Sequence, residues 1–163
     1  MDPQRLAFIK LIRNPVRFRL FQFSKLPSAY FSGLRVGALD ENGAAVTVPY
    51  KWFTKNPFRS TYFACLAMAA EMSTGLLAML HIYNRKPGIS MLVVKMEAHY
   101  YKKAVGVTRF TCADGQAIGE AVENAVRTGE GQQITAKSIG VNMAEEEIAA
   151  FFVTWSFKVK KKG

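Results

Sequence analysis

A single carboxylate within an apolar segment is the residue of this sequence best suited to chemistry. Glu71 follows Asn56 by fifteen residues and lies in the segment LAMAAEMSTGLLAML. Burial of an unpaired carboxylate is costly, so its occurrence in such a segment indicates a functional group. The apolar neighbours are expected to raise the pKa of Glu71 toward a range useful for a base or a nucleophile. A structural role, in which Glu71 pairs with a basic residue or a hydroxyl group, is the alternative.

Two polar residues accompany this carboxylate. Thr74 follows at i+3 on the same helical face, so its hydroxyl could orient the carboxylate or a water molecule. The Asn56-Pro57 pair predicts the start of a helix that runs to Tyr83, with Asn56 as its cap first and a substrate contact second. A helix start offers unpaired N–H groups and a partial positive charge, which suit a polarised oxygen.

Other kinds of site find little support. His81 and His99 are the only histidines, and neither has a Ser or Cys partner at an informative spacing, which argues against a Ser/His hydrolase. The sequence contains neither a His/Cys/Asp cluster for a metal nor a glycine-rich phosphate loop. We therefore expect neither a metal nor a cofactor. The two cysteines form no disulfide framework and favour a reducing, cytoplasmic setting.

The net charge of +10 is concentrated at the two ends of the chain. Residues 1–59 contain ten Lys/Arg and three acidic residues, and the last six residues contain four lysines. Such a distribution favours anionic partners, namely nucleotide phosphates, nucleic acid or a lipid surface, although it equally suits a role in solubility. No nucleic-acid-binding motif is present, so a nucleic-acid partner is not expected.

The order of elements predicts an α+β fold. Residues 1–32 resemble two or three short basic helices that either pack on the domain and cover a pocket, which we favour, or lie on a membrane surface. A β-hairpin around Asp40–Gly43, the long apolar helix and four strands with one inserted helix follow in residues 33–163. One antiparallel sheet around one buried helix accounts for this order. A membrane-spanning helix is the less favoured alternative, because it would place the Glu71 carboxylate in the middle of the bilayer, where a charge is costly.

The residues from 56 to 71 resemble those of the hotdog-fold thioesterases, in the branch of the phenylacetate-pathway and hydroxybenzoyl-CoA enzymes. Asn56 matches an Asn before the central helix, and Glu71 matches an acidic residue fifteen positions later. The chain departs from the pattern at residues 62–64, where Tyr-Phe-Ala replaces His-Gly-Gly. The closing segment FFVTWSF is also similar, and an uncharacterised hotdog family shares the Asn-Pro and Glu features. The resemblance covers roughly residues 34–159.

The resemblance implies an acyl-CoA thioesterase with its site at a homodimer interface, and the dimers could pair again. Because eight residues separate Phe63 from Glu71, about 12 Å along a helix, one carbonyl cannot contact both within one chain. Glu71, Asn56 and Thr74 are then the candidate catalytic residues. The candidate substrate-binding residues are Phe58, Tyr62, Phe63, Ala64 and Met68. The weaker candidates for binding the CoA phosphates are Lys102, Lys103, Arg109 and Lys137. A hotdog protein that binds acyl groups or acyl-CoA without catalysis is the alternative.

Overall fold

The computed structural model of the chain describes residues 2–161, which form five α-helices and six β-strands. Three helices come first: α1 (Pro3–Arg13), α2 (Pro15–Lys25) and α3 (Pro27–Ser32). The strands are β1 (Arg35–Leu39), β2 (Ala44–Val48), β3 (Ile89–Tyr100), β4 (Thr108–Cys112), β5 (Gln132–Val141) and β6 (Glu147–Val159). Helix α4 (Phe63–Ile82) precedes β3, and α5 (Gly115–Thr128) precedes β5. This order confirms the predicted hairpin, long helix, inserted helix and N-terminal helices.

The six strands form one antiparallel sheet in the order β1-β2-β4-β5-β6-β3. Helix α4 packs against β2, β4, β5 and β6, and α5 packs against α4. Residues of β6 alternate, with Phe151, Val153, Trp155 and Phe157 buried toward the helix. The sheet therefore wraps one helix, which is the predicted α+β hotdog architecture.

Helix α4 is the core of the domain. Most of its side chains are buried because it is apolar on nearly all faces. Its length and mean hydropathy of 1.7 would also suit a membrane span, but 67% of that stretch is buried inside the protein. The helix begins at Phe63, so the prediction that it starts at Asn56-Pro57 is wrong by six residues.

The N-terminal helices pack on the domain. Asp2 caps α1, and Asn14 caps α2, each followed by Pro at the start of the helix, where Pro is favoured. Phe8, Ile9 and Ile12 of α1 are buried. Phe18 and Gln22 are the buried residues of α2, and the Gln22 amide donates to the carbonyl of Leu34 at 3.2 Å.

Strand β3 lies at one edge of the sheet, and its exposure does not follow a simple alternation. Leu92, Val94 and Met96 are all exposed. The pairing with β6 shifts between Val93 and Lys95, which makes Val94 a bulge. The extra residue reverses the alternation, so Leu92 lies on the side opposite to Met96.

Candidate functional site

The Glu71 carboxylate borders an apolar cavity of about 200 Å³. One wall is the face of α4 that carries Glu71 and Gly75, and Met91 at the start of β3 contributes a further side. The remaining lining residues from α4 and its C-terminal end are Met72, Leu76, Met79 and Tyr83. The N-terminal helices and the residue between α2 and α3 form the roof with Phe8, Leu11, Ile12, Phe18, Phe21 and Leu26. Glu71 is therefore the one carboxylate among the residues that line this cavity.

The electrostatics of Glu71 follow from this burial. Desolvation raises the pKa of Glu71, and no compensating hydrogen bond or charge from residues 2–161 lowers it. The prediction of a raised pKa is confirmed. A Cβ atom on Gly75 would lie 3.3 Å from Glu71 Oε1 and 3.2 Å from Trp155 Cζ2. The glycine thus leaves the space in which the carboxylate lies beside the indole ring.

Thr74 is bound in a different way from the prediction. Its hydroxyl donates to the backbone carbonyl of Glu71 at 2.9 Å and accepts the indole N–H of Trp155 at 2.9 Å. Neither contact involves the Glu71 carboxylate. Because Trp155 belongs to β6, this hydrogen bond fixes α4 against the sheet one turn from Glu71. Thr74 therefore links α4 to the sheet and makes no contact with the Glu71 carboxylate.

Asn56 organises a loop and does not cap α4. Its Oδ1 accepts the backbone N–H groups of Phe58 at 2.9 Å and Ser60 at 3.2 Å, and its Nδ2 donates to Ser60 Oγ at 3.1 Å. The N-cap position of α4 is Tyr62, which provides no side-chain hydrogen bond. The predicted cap role is therefore wrong, because an Asn side chain closes a turn as readily as it starts a helix.

An open groove of about 540 Å³ lies at the N-terminal end of α4. It brings together four of the predicted catalytic and substrate-binding residues and two of the predicted lysines. Tyr100 and Tyr101 at the end of β3 also line it. The predicted residues in the groove are Asn56, Phe58, Tyr62, Phe63, Lys102 and Lys103, with Leu66 below them. Of the remaining predicted residues, Ala64 and Met68 are half-buried on α4.

The backbone N–H groups at the start of α4 precede the first hydrogen-bonded turn of the helix. The first N–H groups with acceptors are those of Cys65 and Leu66, which donate to the carbonyl of Tyr62 at 2.9 and 3.3 Å. No acceptor among residues 2–161 takes the N–H of Phe63 or Ala64. These two donors could hold a carbonyl oxygen, as a helix start does.

The four predicted cations do not form one cluster. Lys102 pairs with Glu146 at 2.6 Å, and Lys103 donates to the carbonyl of Phe58 at 3.4 Å. Arg109 Nη2 donates to both carboxylate oxygens of Glu145, at 2.8 and 2.7 Å, on the β5–β6 turn. Lys137 lies 5.8 Å from the Phe152 ring centroid on the face of the sheet away from α4. Only the two lysines therefore remain near the groove.

The spacing around the carboxylate indicates part of the cavity wall, because Met72, Gly75, Leu76 and Met79 follow Glu71 at i+1, i+4, i+5 and i+8. The N-terminal helices roof the cavity, in agreement with the interpretation that they pack on the domain and cover a pocket. The Trp155–Thr74 hydrogen bond has no local signal in the sequence, because it joins residues of distant segments.

Structural comparison identifies relatives of low sequence identity. A protein of unknown function from Pseudomonas aeruginosa, described as a probable thioesterase, aligns with a TM-score of 0.75 at 17% identity over 92% of this chain and 99% of that one. A protein of unknown function from Chlorobaculum tepidum gives 0.74 at 17% identity, covering 90% and 97%. A thioesterase from Haemophilus influenzae gives 0.62 at 13% identity, covering 86% and 88%. These likenesses show the hotdog fold.

The sequence itself matches one protein family. No functionally curated protein matches the chain in sequence. Residues 18–152 match the model of the domain of unknown function DUF4442, which covers most of the chain from α2 to β6. The buried helix, the single antiparallel sheet and this match agree on one assignment. The chain is a member of the DUF4442 family and has the hotdog fold.

Proposed function

We propose that the protein hydrolyses acyl thioesters, with Glu71 as the general base. The observation that supports this most directly is the unpartnered Glu71 carboxylate beside an apolar cavity. The cavity offers the acyl group an apolar lining, and medium or long aliphatic or aromatic acyl groups fit that chemistry. Burial brings the pKa of Glu71 nearer to neutral pH, and a general base is most effective when its pKa lies close to the operating pH.

The reaction needs a proton acceptor and an electrostatic partner for the carbonyl. Glu71 takes a proton from water, and the water oxygen forms a bond to the thioester carbon. The carbon–sulfur bond then breaks, and the proton on Glu71 passes to the departing thiolate, which yields a carboxylic acid and a thiol. Negative charge that develops on the carbonyl oxygen is held by the N–H groups of Phe63 and Ala64.

Two subunits complete this site. Phe63 and Glu71 are separated by about 12 Å along α4, so the donors must come from a second chain. Strand β3 is an edge strand with exposed Leu92, Val94 and Met96, which suits pairing with the β3 of another copy around a two-fold axis. Met91 connects the Glu71 cavity to the same strand.

The open groove is the proposed location of the CoA portion. Lys102 and Lys103 supply positive charge at its rim, and Tyr100, Tyr101 and Phe58 offer faces for an adenine ring. Exchange of the Glu146 carboxylate for a phosphate would free Lys102 for the ligand. We propose a cytoplasmic setting, with which the two free cysteines are consistent.

A second candidate function is acyl or acyl-CoA binding without hydrolysis. It is favoured by Tyr62 and Phe63, whose exposed rings occupy the helix start. In the hotdog-thioesterase pattern that the sequence resembles, His-Gly-Gly stands in place of Tyr62-Phe63-Ala64. The ring of Phe63 would restrict the approach of a carbonyl to the N–H groups. This candidate retains the cavity and the groove and needs no chemical step at Glu71.

The two candidates differ in the effect of Glu71→Gln. If Glu71 is the base, turnover of a panel of acyl-CoA esters should fall by about 10²–10⁴-fold, while binding of a non-hydrolysable thioether analogue is retained. Glu130→Gln, at an exposed residue after α5, is the control and should leave turnover unchanged. Binding by the wild type without hydrolysis of any ester would support the second candidate. Hydrolysis that survives in Glu71→Gln would refute the role of Glu71.

A further inference from the structure

An exposed apolar stripe runs along the outward face of α2. Val16, Leu20 and Phe23 follow at i, i+4 and i+7, which places them on one side of the helix. They are 67%, 65% and 57% exposed. The other side of α2 is buried through Phe18 and Gln22. The helix thus has a second apolar face that packing on the domain does not require.

Aromatic rings from two neighbouring segments extend this stripe. Phe23 contacts Phe31 of α3 with ring centroids 6.4 Å apart, and Phe31 contacts Phe53 at 6.1 Å. Trp52, next to Phe53 in the chain, is 79% exposed. The resulting outer apolar patch consists of Val16, Leu20, Phe23, Phe31, Trp52 and Phe53. Contiguous exposed rings of this kind are typical of an interaction surface.

Basic residues border the outer apolar patch. Residues 1–32 contain six Lys/Arg and one acidic residue, a net charge of +5. Arg13, Arg17 and Lys25 of this segment are exposed, and no carboxylate of residues 2–161 forms an ion pair with them. Lys51 and Lys55 flank the Trp52-Phe53 pair and are also exposed. The patch is therefore apolar at its centre and cationic at its rim.

We propose that the outer apolar patch docks on a negatively charged lipid bilayer. Trp and Phe rings partition into the headgroup region, and Lys/Arg side chains contact the lipid phosphates. A second copy of the chain fits the patch less well, because it would bring two segments of net charge +5 together. A nucleic acid could stack on Trp52, but the aliphatic Val16 and Leu20 offer no flat face to a base.

Docking would hold the roof of the Glu71 cavity against the lipid. Phe18 and Phe21 line that cavity from α2, and the stripe lies on the opposite side of the same helix. An α-helix is about 10 Å across, so one helix separates the cavity from the bilayer. An acyl ligand dissolved in the membrane would then have a short path to Glu71. The docking itself does not depend on the proposed hydrolysis.

Co-sedimentation of the full chain with vesicles tests this proposal. We expect binding to phosphatidylcholine vesicles that contain about one third phosphatidylglycerol, weaker binding to pure phosphatidylcholine, and a loss of binding with added salt. Leu20→Ser and Trp52→Ser should each reduce the partition coefficient by about tenfold, and Arg17→Gln should reduce it by about fivefold. Met143→Ser is the matched control, because Met143 is also 79% exposed but lies on the β5–β6 turn.

The outcomes separate docking from catalysis and from other occupants. Glu71→Gln should bind vesicles like the wild type, so a failure of the proposed hydrolysis leaves this result intact. The proposal is overturned if the wild type does not sediment with anionic vesicles, or if Leu20→Ser and Trp52→Ser bind as tightly as Met143→Ser. It is also overturned if the patch variants change only the oligomer size in gel filtration, or only the binding of a single-stranded oligonucleotide. Unchanged melting temperatures verify that the variants fold.

Discussion

Replacement of Thr74 by valine should destabilise the protein by about 1–3 kcal/mol, because it leaves a buried donor without its acceptor. The indole N–H of Trp155 donates to Thr74 Oγ1 at 2.9 Å, and both residues are buried in the core. Valine retains the branched shape of threonine, so the packing of α4 against β6 is largely preserved. The loss therefore reports mainly the hydrogen bond.

Thermal and urea unfolding measure this loss. For a chain of this length, 1 kcal/mol corresponds to a shift of about 2–4 °C, so the melting temperature should fall by roughly 2–12 °C. Thr154→Val is the matched control. The hydroxyl groups of Thr154 and Thr135 form a hydrogen bond of 2.8 Å on the solvent-facing side of the sheet. When the Thr154 hydroxyl is removed, water can take its place as the partner of Thr135. The change in its unfolding free energy should remain below about 0.5 kcal/mol.

Two results would refute this reasoning. Equal stability losses for Thr74→Val and Thr154→Val would show that burial of the indole N–H carries no penalty. A double-mutant cycle with Trp155→Phe should give a coupling of about 0.5–3 kcal/mol between the two residues, and a coupling near zero would lead to the same conclusion. A loss of hydrolysis by Thr74→Val as large as that by Glu71→Gln would show that the hydroxyl acts on the substrate and is not only a positioning group.

Two further predictions concern stability. The pKa of Glu71 is raised in the folded state, whereas the unfolded state has the usual pKa of 4.5. As the pH rises above 4.5, the unfolded state therefore loses the Glu71 proton before the folded state does. The contribution of Glu71 to the unfolding free energy decreases from pH 4.5 through the folded pKa. Glu71→Gln should gain stability relative to the wild type across this interval in urea titrations at successive pH values, and a constant difference would contradict the assignment. Gly140→Ala should cost about 1–3 kcal/mol, because its Cβ would lie 2.5 Å from Cε1 of the buried Phe110. Gly131→Ala, which meets only a backbone oxygen at 3.9 Å, is the control, and equal melting temperatures would contradict the packing argument.

Elements with strong hydrophobic periodicity could be predicted from the sequence, and elements decided by a side-chain hydrogen bond could not. Helix α5 follows from the spacing of Ile118, Val122 and Ala125, all of which are buried. The start of α4 was misplaced because Asn56 uses its oxygen to close a turn, and the same preference makes Asn a common helix cap. The bulge at Val94 could not be predicted either, because one extra residue leaves the composition of the strand unchanged while it reverses the side to which the following residues point.

The candidate site was predictable only in part, for a related reason. Glu71 stands out because one charge in an apolar helix has a cost that composition alone reveals. The partner of Thr74 could not be found in this way, because Trp155 is 81 residues away in sequence. The grouping of Asn56, Phe58 and Lys103 at one groove likewise depends on the return of the chain after β3.

Two parts of the chain surround Glu71, namely the N-terminal helices and the hotdog domain, and the two are predicted from the sequence as separate regions. The predicted division places residues 1–32 outside the hotdog domain, whereas the family match begins at residue 18, within α2. Phe8, Phe18 and Phe21 nevertheless roof the cavity in which the carboxylate lies. Because desolvation is the cause of the raised pKa, removal of this roof would return Glu71 toward the pKa of an ordinary carboxyl group. The N-terminal helices therefore contribute to the desolvation that raises the pKa of the residue on which the proposed chemistry depends.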